Sequence, residues 1–318
     1  MLDFARRGNP GREWLLRGGG ARSHRARMGE PRDLFLEANR LRLHLLEWGE
    51  RGEGPPLLLL HGFQEHAHAW DWLAPRLAAA GHNVFAWDAR GHGDSEWIGR
   101  GGYYHFPDYA ADVAFVVRHL GGRVALVGHS MGGNVALLYA GSEPERVTAL
   151  ALLEGLGPPD SPHDVAPKRF AGWIADLERT AGSERRPRPL ADCAARLRRY
   201  FPLTEEISLH LARHGTRAAG DADGDLRAWK WDPLHATRAP QPFYVAQAET
   251  FWARITCPVL YLEGSRSYLS AAAFEIEERV AALHAERATI DGAAHHPHLE
   301  QPEETARVLL EFLARAAR

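Results

Sequence analysis

From residue 32 onward the apolar positions follow two alternating rhythms. The stretch FLEANRLRLHLLEWG (35–49) alternates apolar and polar residues and breaks at Asn39-Arg40, the pattern of a hairpin. PPLLLLHG (55–62) is a continuous apolar run bounded by turn formers, which predicts a strand buried on both faces. NVFAWDARGHG (83–93), RVALVGHS (123–130) and VTALALLEG (147–155) repeat that signal. Helical periodicity lies between them: Trp70 to Ala80 ended by Gly81, Tyr109 to Leu120 ended by Gly121-Gly122, and Met131 to Ala140.

The rhythm breaks between Leu156 and Ile255, a Pro-, Arg- and aromatic-rich stretch with short helical segments and no buried strand in its pattern. It resumes with CPVLYLEG (257–264), a helix over Ala271 to Ala285, the strand RATIDG (287–292) and a last helix from Pro302. Alternating strands and helices predict an α/β fold, a mostly parallel sheet with helices on both faces. The interruption reads as an inserted helical lid. The expected organisation is a basic tail over 1–31, a core over 32–155, the lid over 156–255, and a second core part over 256–318.

Composition narrows the function. Of 318 residues, 45% are hydrophobic and 25% charged, an ordinary globular balance. A formal net charge of −3 gives no basic field for a nucleic-acid partner. No apolar run is long enough for a membrane span. Two cysteines, Cys193 and Cys257, read as free thiols of a cytoplasmic protein. The first thirty residues carry seven arginines and no apolar core of a secretory signal, with Met28 an alternative start. Oligomeric state is not legible.

The chemistry centres on Gly128-His129-Ser130-Met131-Gly132, a G-x-S-x-G between a buried strand and a helix. A nucleophilic serine needs a sharp, strained turn to project its hydroxyl, and flanking glycines leave room for that turn. The following helix directs its N-terminal N–H groups at developing negative charge. His66-Ala67-His68-Ala69-Trp70-Asp71 superficially resembles the H-x-H-x-D-H zinc motif of metallo-hydrolases. Its aspartate stands one place late and Trp72 replaces the second histidine, so no metal is assigned. No phosphate loop or dinucleotide fingerprint is present, and no cofactor is expected.

VGHSMGGNVA resembles the nucleophile elbow of the α/β-hydrolase superfamily, and three further segments agree in order. LLLLHGF resembles its oxyanion loop, DARGHGDS the turn after its fourth strand, and IDGAAHHPHLEQPEETARVLLEFL the segment carrying its catalytic histidine. AWKWDPLHATRAP (228–240), LEGLGPP and GAAHHPHLE look most like the lidded "serine hydrolase-like" branch. The resemblance implies an eight-stranded, mostly parallel sheet. It implies Ser130 as nucleophile, with the N–H groups of Phe63 and Met131 as oxyanion hole. His295 fits the slot of the base better than His296 or His298, since it follows the small-residue turn Ala293-Ala294. Asp88, Arg90 and His92 match positions that are mainly structural.

The acid departs from the family pattern. Most members carry aspartate three residues beyond the glycine ending the seventh strand, where this chain has Ser267 after Gly264. The resemblance implies Glu154, at the end of the sixth strand, as the replacement: the family's strand order makes the fifth and sixth strands neighbours, about 5 Å apart, and some members carry their acid there. Glu263 is the fallback, and Asp291 a weaker one. His129, Trp173, Trp229 and Trp231 are assigned to an apolar substrate pocket. The expected function is an esterase-like serine hydrolase acting on a small molecule. C–C bond hydrolysis or perhydrolysis by the same triad stays open, as does a receptor that keeps the fold with little turnover.

Overall fold

The computed structural model describes residues 29–318 apart from 51, 53, 182–185, 220–224 and 270–274. The expected basic tail, up to residue 28, and the start of the helix expected from Ala271 lie outside the described residues.

The chain opens with strands β1 (Arg32–Ala38) and β2 (Leu41–Trp48), paired antiparallel with Ala38 opposite Leu41. Asn39 and Arg40 sit at φ 47° and 69°, the left-handed pair that a two-residue hairpin turn needs. Then follow β3 (Leu57–Leu60), α1 (Ala74–Ala79), β4 (Val84–Trp87), α2 (Phe106–His119), β5 (Val124–His129), α3 (Met131–Ser142) and β6 (Val147–Leu153). The helix expected from Trp70 is divided into a short 3-10 turn, Ala67–Trp70, and α1. Pro75 explains the second start, since proline suits the first turn of a helix and disrupts its interior.

After β6 the chain leaves the sheet. It forms α4 (Ala166–Thr180), β7 (Arg188–Pro189), α5 (Leu190–Tyr200), α6 (Glu205–Gly215), β8 (Thr216–Ala218), β9 (Leu226–Trp229) and α7 (Val245–Trp252). Strands β7, β9 and β8 make a small antiparallel sheet where none was expected. They are short and mostly exposed, so they leave no buried apolar run in the sequence. The chain returns through β10 (Val259–Gly264), α8 (Ile276–Ala282), β11 (Glu286–Ile290), α9 (Pro297–Glu300) and α10 (Pro302–Ala316).

The main sheet has eight strands in the order β1-β2-β4-β3-β5-β6-β10-β11, parallel except around β2. Strand alternation divides its side chains between two layers. Leu58 and Leu60 pack in the cluster that holds α2 and α3 residues, while Leu57 and Leu59 pack with Leu77 of α1 and Phe312 of α10. Burial on both faces is why these strands read as unbroken apolar runs. No helix among the described residues is long and apolar enough to cross a membrane.

The loop after β4 is tied down by Asp88. Its carboxylate accepts from Ala67 N at 2.6 Å and Asp94 N at 2.8 Å, and its Oδ2 lies 2.7 Å from His44 Nδ1. Arg90 donates twice to Asp112, both at 2.6 Å. Burial disfavours a charged His44, but Asp33 and Asp88 outweigh it and raise its pKa to about 9. A histidine raised in the folded state stabilises fully below its unfolded pKa of about 6.5 and loses that contribution as pH climbs through the folded value. Urea unfolding should therefore show stability falling between pH 6.5 and 9 in the wild type, with a shallower fall in His44→Gln.

Candidate active site

Ser130 occupies the junction of β5 and α3 at φ 50° and ψ −113°, a left-handed conformation that costs a non-glycine residue of order 1–3 kcal/mol. Glycines make the turn possible. A Cβ on Gly132 would sit 2.1 Å from Leu60 O, and one on Gly128 would sit 2.5 Å from Gly132 O. The turn is also tied to the neighbouring strand, because Ser130 N donates to Leu153 O at 2.9 Å.

Glu154 follows directly from β6 and is itself left-handed, at φ 53°. Its own N–H donates to Leu262 O at 3.0 Å, so the carboxylate emerges between β6 and β10. Both oxygens are held. Oε1 accepts from Gly264 N at 2.7 Å, and Oε2 accepts from the Ser267 hydroxyl. His295 Nδ1 lies 3.4 Å from the same Oε2, with Glu154 2% exposed. Serine at the family's usual acid position thus helps to orient the carboxylate that faces the histidine.

The other carboxylates point elsewhere. Glu263 accepts from Arg287 Nε at 2.9 Å and Thr289 Oγ1 at 3.3 Å, on the β11 side. Asp291 accepts from Ser265 Oγ at 3.1 Å at the surface.

The loop carrying His295 is clamped by one side chain, as Glu300 accepts from Ala294 N at 3.1 Å and His296 N at 3.0 Å. From beneath, His129 Nε2 donates to His295 O at 2.8 Å, and its Nδ1 lies 3.2 Å from Glu65 Oε2. His296 Nε2 donates to the other Glu65 oxygen at 3.0 Å. Burial opposes charge on His129, yet Glu65 outweighs it and raises the pKa. Burial pushes His296 down to about 4, leaving a neutral ring. His129 therefore departs from its assignment to the substrate surface. It is fully buried and supports the loop carrying His295 from below. His298 is equally buried, its ring 4.5 Å from that of Trp70.

Phe63 follows His61-Gly62 and is half exposed, and Met131 is the first residue of α3. Tyr268 leans over the site, its ring centroid 5.1 Å from that of His295. The three tryptophans diverge. Trp173 on α4 lies 5.3 Å from the rings of both Tyr103 and Phe170. Trp229 packs on Cys193, Ala194 and Ala212 in a small core of the inserted segment, which corrects its assignment to the pocket. Trp231 is buried beside the Asp232 N to Gly91 O bond of 2.8 Å.

Sequence reasoning missed Glu65, Glu300 and Arg279. Arg279 Nη1 donates to the carbonyls of Leu156, Gly157 and Pro158, which fixes the loop just after Glu154. Glu65 bonds two buried histidines, His129 and His296, that lie far from it in sequence, so no local pattern announces it.

A family model described as the alpha/beta hydrolase fold matches residues 55–302. The chain belongs to the α/β-hydrolase family. A solved structure of a hypothetical protein from Pseudomonas aeruginosa is 30% identical, with a TM-score of 0.80, and covers 89% of this chain and 99% of its own. Among curated relatives, a zebrafish (Danio rerio) serine hydrolase-like protein is 41% identical over 118 residues, 35% of this chain. Epoxide hydrolase A of Mycobacterium tuberculosis is 37% identical over 131 residues, 40% of this chain. These matches span only 36% and 39% of the two relatives' own lengths. The α/β-hydrolase family thus includes relatives named for different bonds, and the choice among them falls to the nucleophile.

Proposed function

We propose that this α/β-hydrolase cleaves an ester or related acyl bond through an acyl-enzyme on Ser130. One observation carries the reading: a serine held left-handed at a strand-to-helix junction, on the strand next to a carboxylate that faces a loop histidine. The name of the zebrafish relative agrees with it.

Ser130 Oγ attacks the carbonyl carbon while its proton passes to His295 Nε2. The oxyanion takes hydrogen bonds from the Phe63 and Met131 N–H groups, each worth about 3–4 kcal/mol in the transition state. Glu154 holds the proton on His295 Nδ1 and stabilises the imidazolium. Collapse of the intermediate expels the alcohol, which leaves with the proton from Nε2. Water then attacks the acyl carbon, giving its proton to Nε2, and breakdown returns that proton to Ser130 with release of the acid.

Phe63 and Tyr268 are 50% and 62% exposed, large aromatic surface that favours an apolar acyl group. Each methylene entering such a pocket contributes about 0.8 kcal/mol. Across a p-nitrophenyl ester series, kcat/KM should therefore rise at least about tenfold from acetate to hexanoate, with an initial burst of p-nitrophenol. A preference for small polar acyl groups, or turnover without any acyl intermediate, would overturn the reading.

A further inference from the structure

The stretch His66 to Asp71, set aside as a catalytic metal motif, does not act as one unit. His66 turns away, its Nε2 donating to Leu211 O at 3.0 Å and docking α6 on the sheet-bearing part of the chain. His68 and Asp71 face the other way, towards His210 and His214, which stand four residues apart on one face of α6. Asp71 Oδ2 lies 2.9 Å from His68 Nδ1 and 2.7 Å from His210 Nε2. The His214 ring stacks 3.7 Å from that of His68 and 4.5 Å from that of His210. One donor atom from each of the four residues falls within 4.8 Å of all the others.

Two features distinguish this group from an ordinary surface ion pair. Asp71 Oδ1 is buried and lacks a hydrogen-bond partner among the described residues, which is costly for a carboxylate oxygen. Of the three imidazoles around this carboxylate, His68 and His210 hydrogen-bond to its Oδ2, while His214 meets their rings.

Three nitrogens and one carboxylate oxygen are a donor set for a tetrahedral transition-metal ion, zinc above all. Zinc–ligand distances of about 2.0–2.1 Å put donor atoms about 3.4 Å apart, so the widest separations would close by about an ångström on binding. We propose that His68, Asp71, His210 and His214 bind a zinc ion that fastens helix α6 of the inserted segment to the turn ahead of α1. The site is structural rather than hydrolytic, because all four donors are protein groups and none belongs to the Ser130 machinery. Two ligands come from each side of the junction, so the metal acts as a clasp between them.

The test uses the tag-free full chain, stripped with a chelator and titrated with Zn²⁺ in a calorimeter. The expected result is one ion per chain, with affinity reduced at least about 100-fold in His210→Ala and in His214→Ala. Metal-free melting temperatures of the variants, compared with the wild type, separate loss of a ligand from loss of the fold. A wild-type crystal soaked in Zn²⁺ needs no variant, and anomalous scattering at the zinc edge should peak between the four side chains. Absence of binding, affinity unchanged in both variants, or an anomalous peak elsewhere, such as beside Glu65, His129 and His296, would overturn the proposal.

Discussion

Ser130→Ala is expected to lower kcat for ester hydrolysis by at least about 10⁴-fold, leaving the melting temperature unchanged or raised. In serine hydrolases the nucleophile and base act as a unit, and removing either forfeits nearly all of their joint contribution. What survives comes from the oxyanion donors and from binding. The stability side follows from local geometry. Ser130 sits at φ 50° between glycines that tolerate no side chain, and alanine keeps that backbone while its hydroxyl has no role in the fold. Steady-state kinetics on the preferred p-nitrophenyl ester, paired with thermal melting, measures both halves. Residual turnover within about tenfold of wild type would mean that the chemistry runs without this serine.

Glu154→Gln should lower kcat by about 10³–10⁴-fold with KM little changed. The amide fits the same space and can still accept from Gly264 N, but it carries no charge to set against the imidazolium and offers an N–H₂ where His295 Nδ1 needs an acceptor. The Ser267 hydroxyl donates to the same Glu154 oxygen that faces His295, so the two positions border one imidazole edge. Glu154→Ser combined with Ser267→Asp moves the carboxylate across that edge and should recover at least about tenfold of the lost kcat. Steady-state kinetics on Glu263→Gln should match wild type, because that side chain is engaged with Arg287. A large loss in Glu263→Gln with none in Glu154→Gln would move the acid to β10.

Much of this arrangement was legible along the chain. Strands buried on both faces announced themselves as LLLL, VFAW and VALV, and the glycines of the elbow marked where a strand had to turn sharply into a helix. Glu154 could be singled out only through the strand order that the family resemblance implies, since strand adjacency is a property of the sheet and not of the local sequence. What stayed hidden depended on which way side chains point. His129 lies next to Ser130 in sequence, but strand alternation turns it under the sheet edge, where it holds His295 O. Trp229 reads like any pocket aromatic, yet it fills a small core made by α5, α6 and β9. The grouping of His68 with His210 and His214 joins residues more than 140 positions apart, which no local spacing could announce.

The central claim is a covalent intermediate on Ser130, and the most direct measurement is mass spectrometry after reaction with a fluorophosphonate. Intact mass should rise by one phosphonyl group per chain, and peptide mapping should find it on Ser130, within VALVGHSMGGNVALLY. Reaction that leaves the mass unchanged, or an adduct on any other residue, would contradict it.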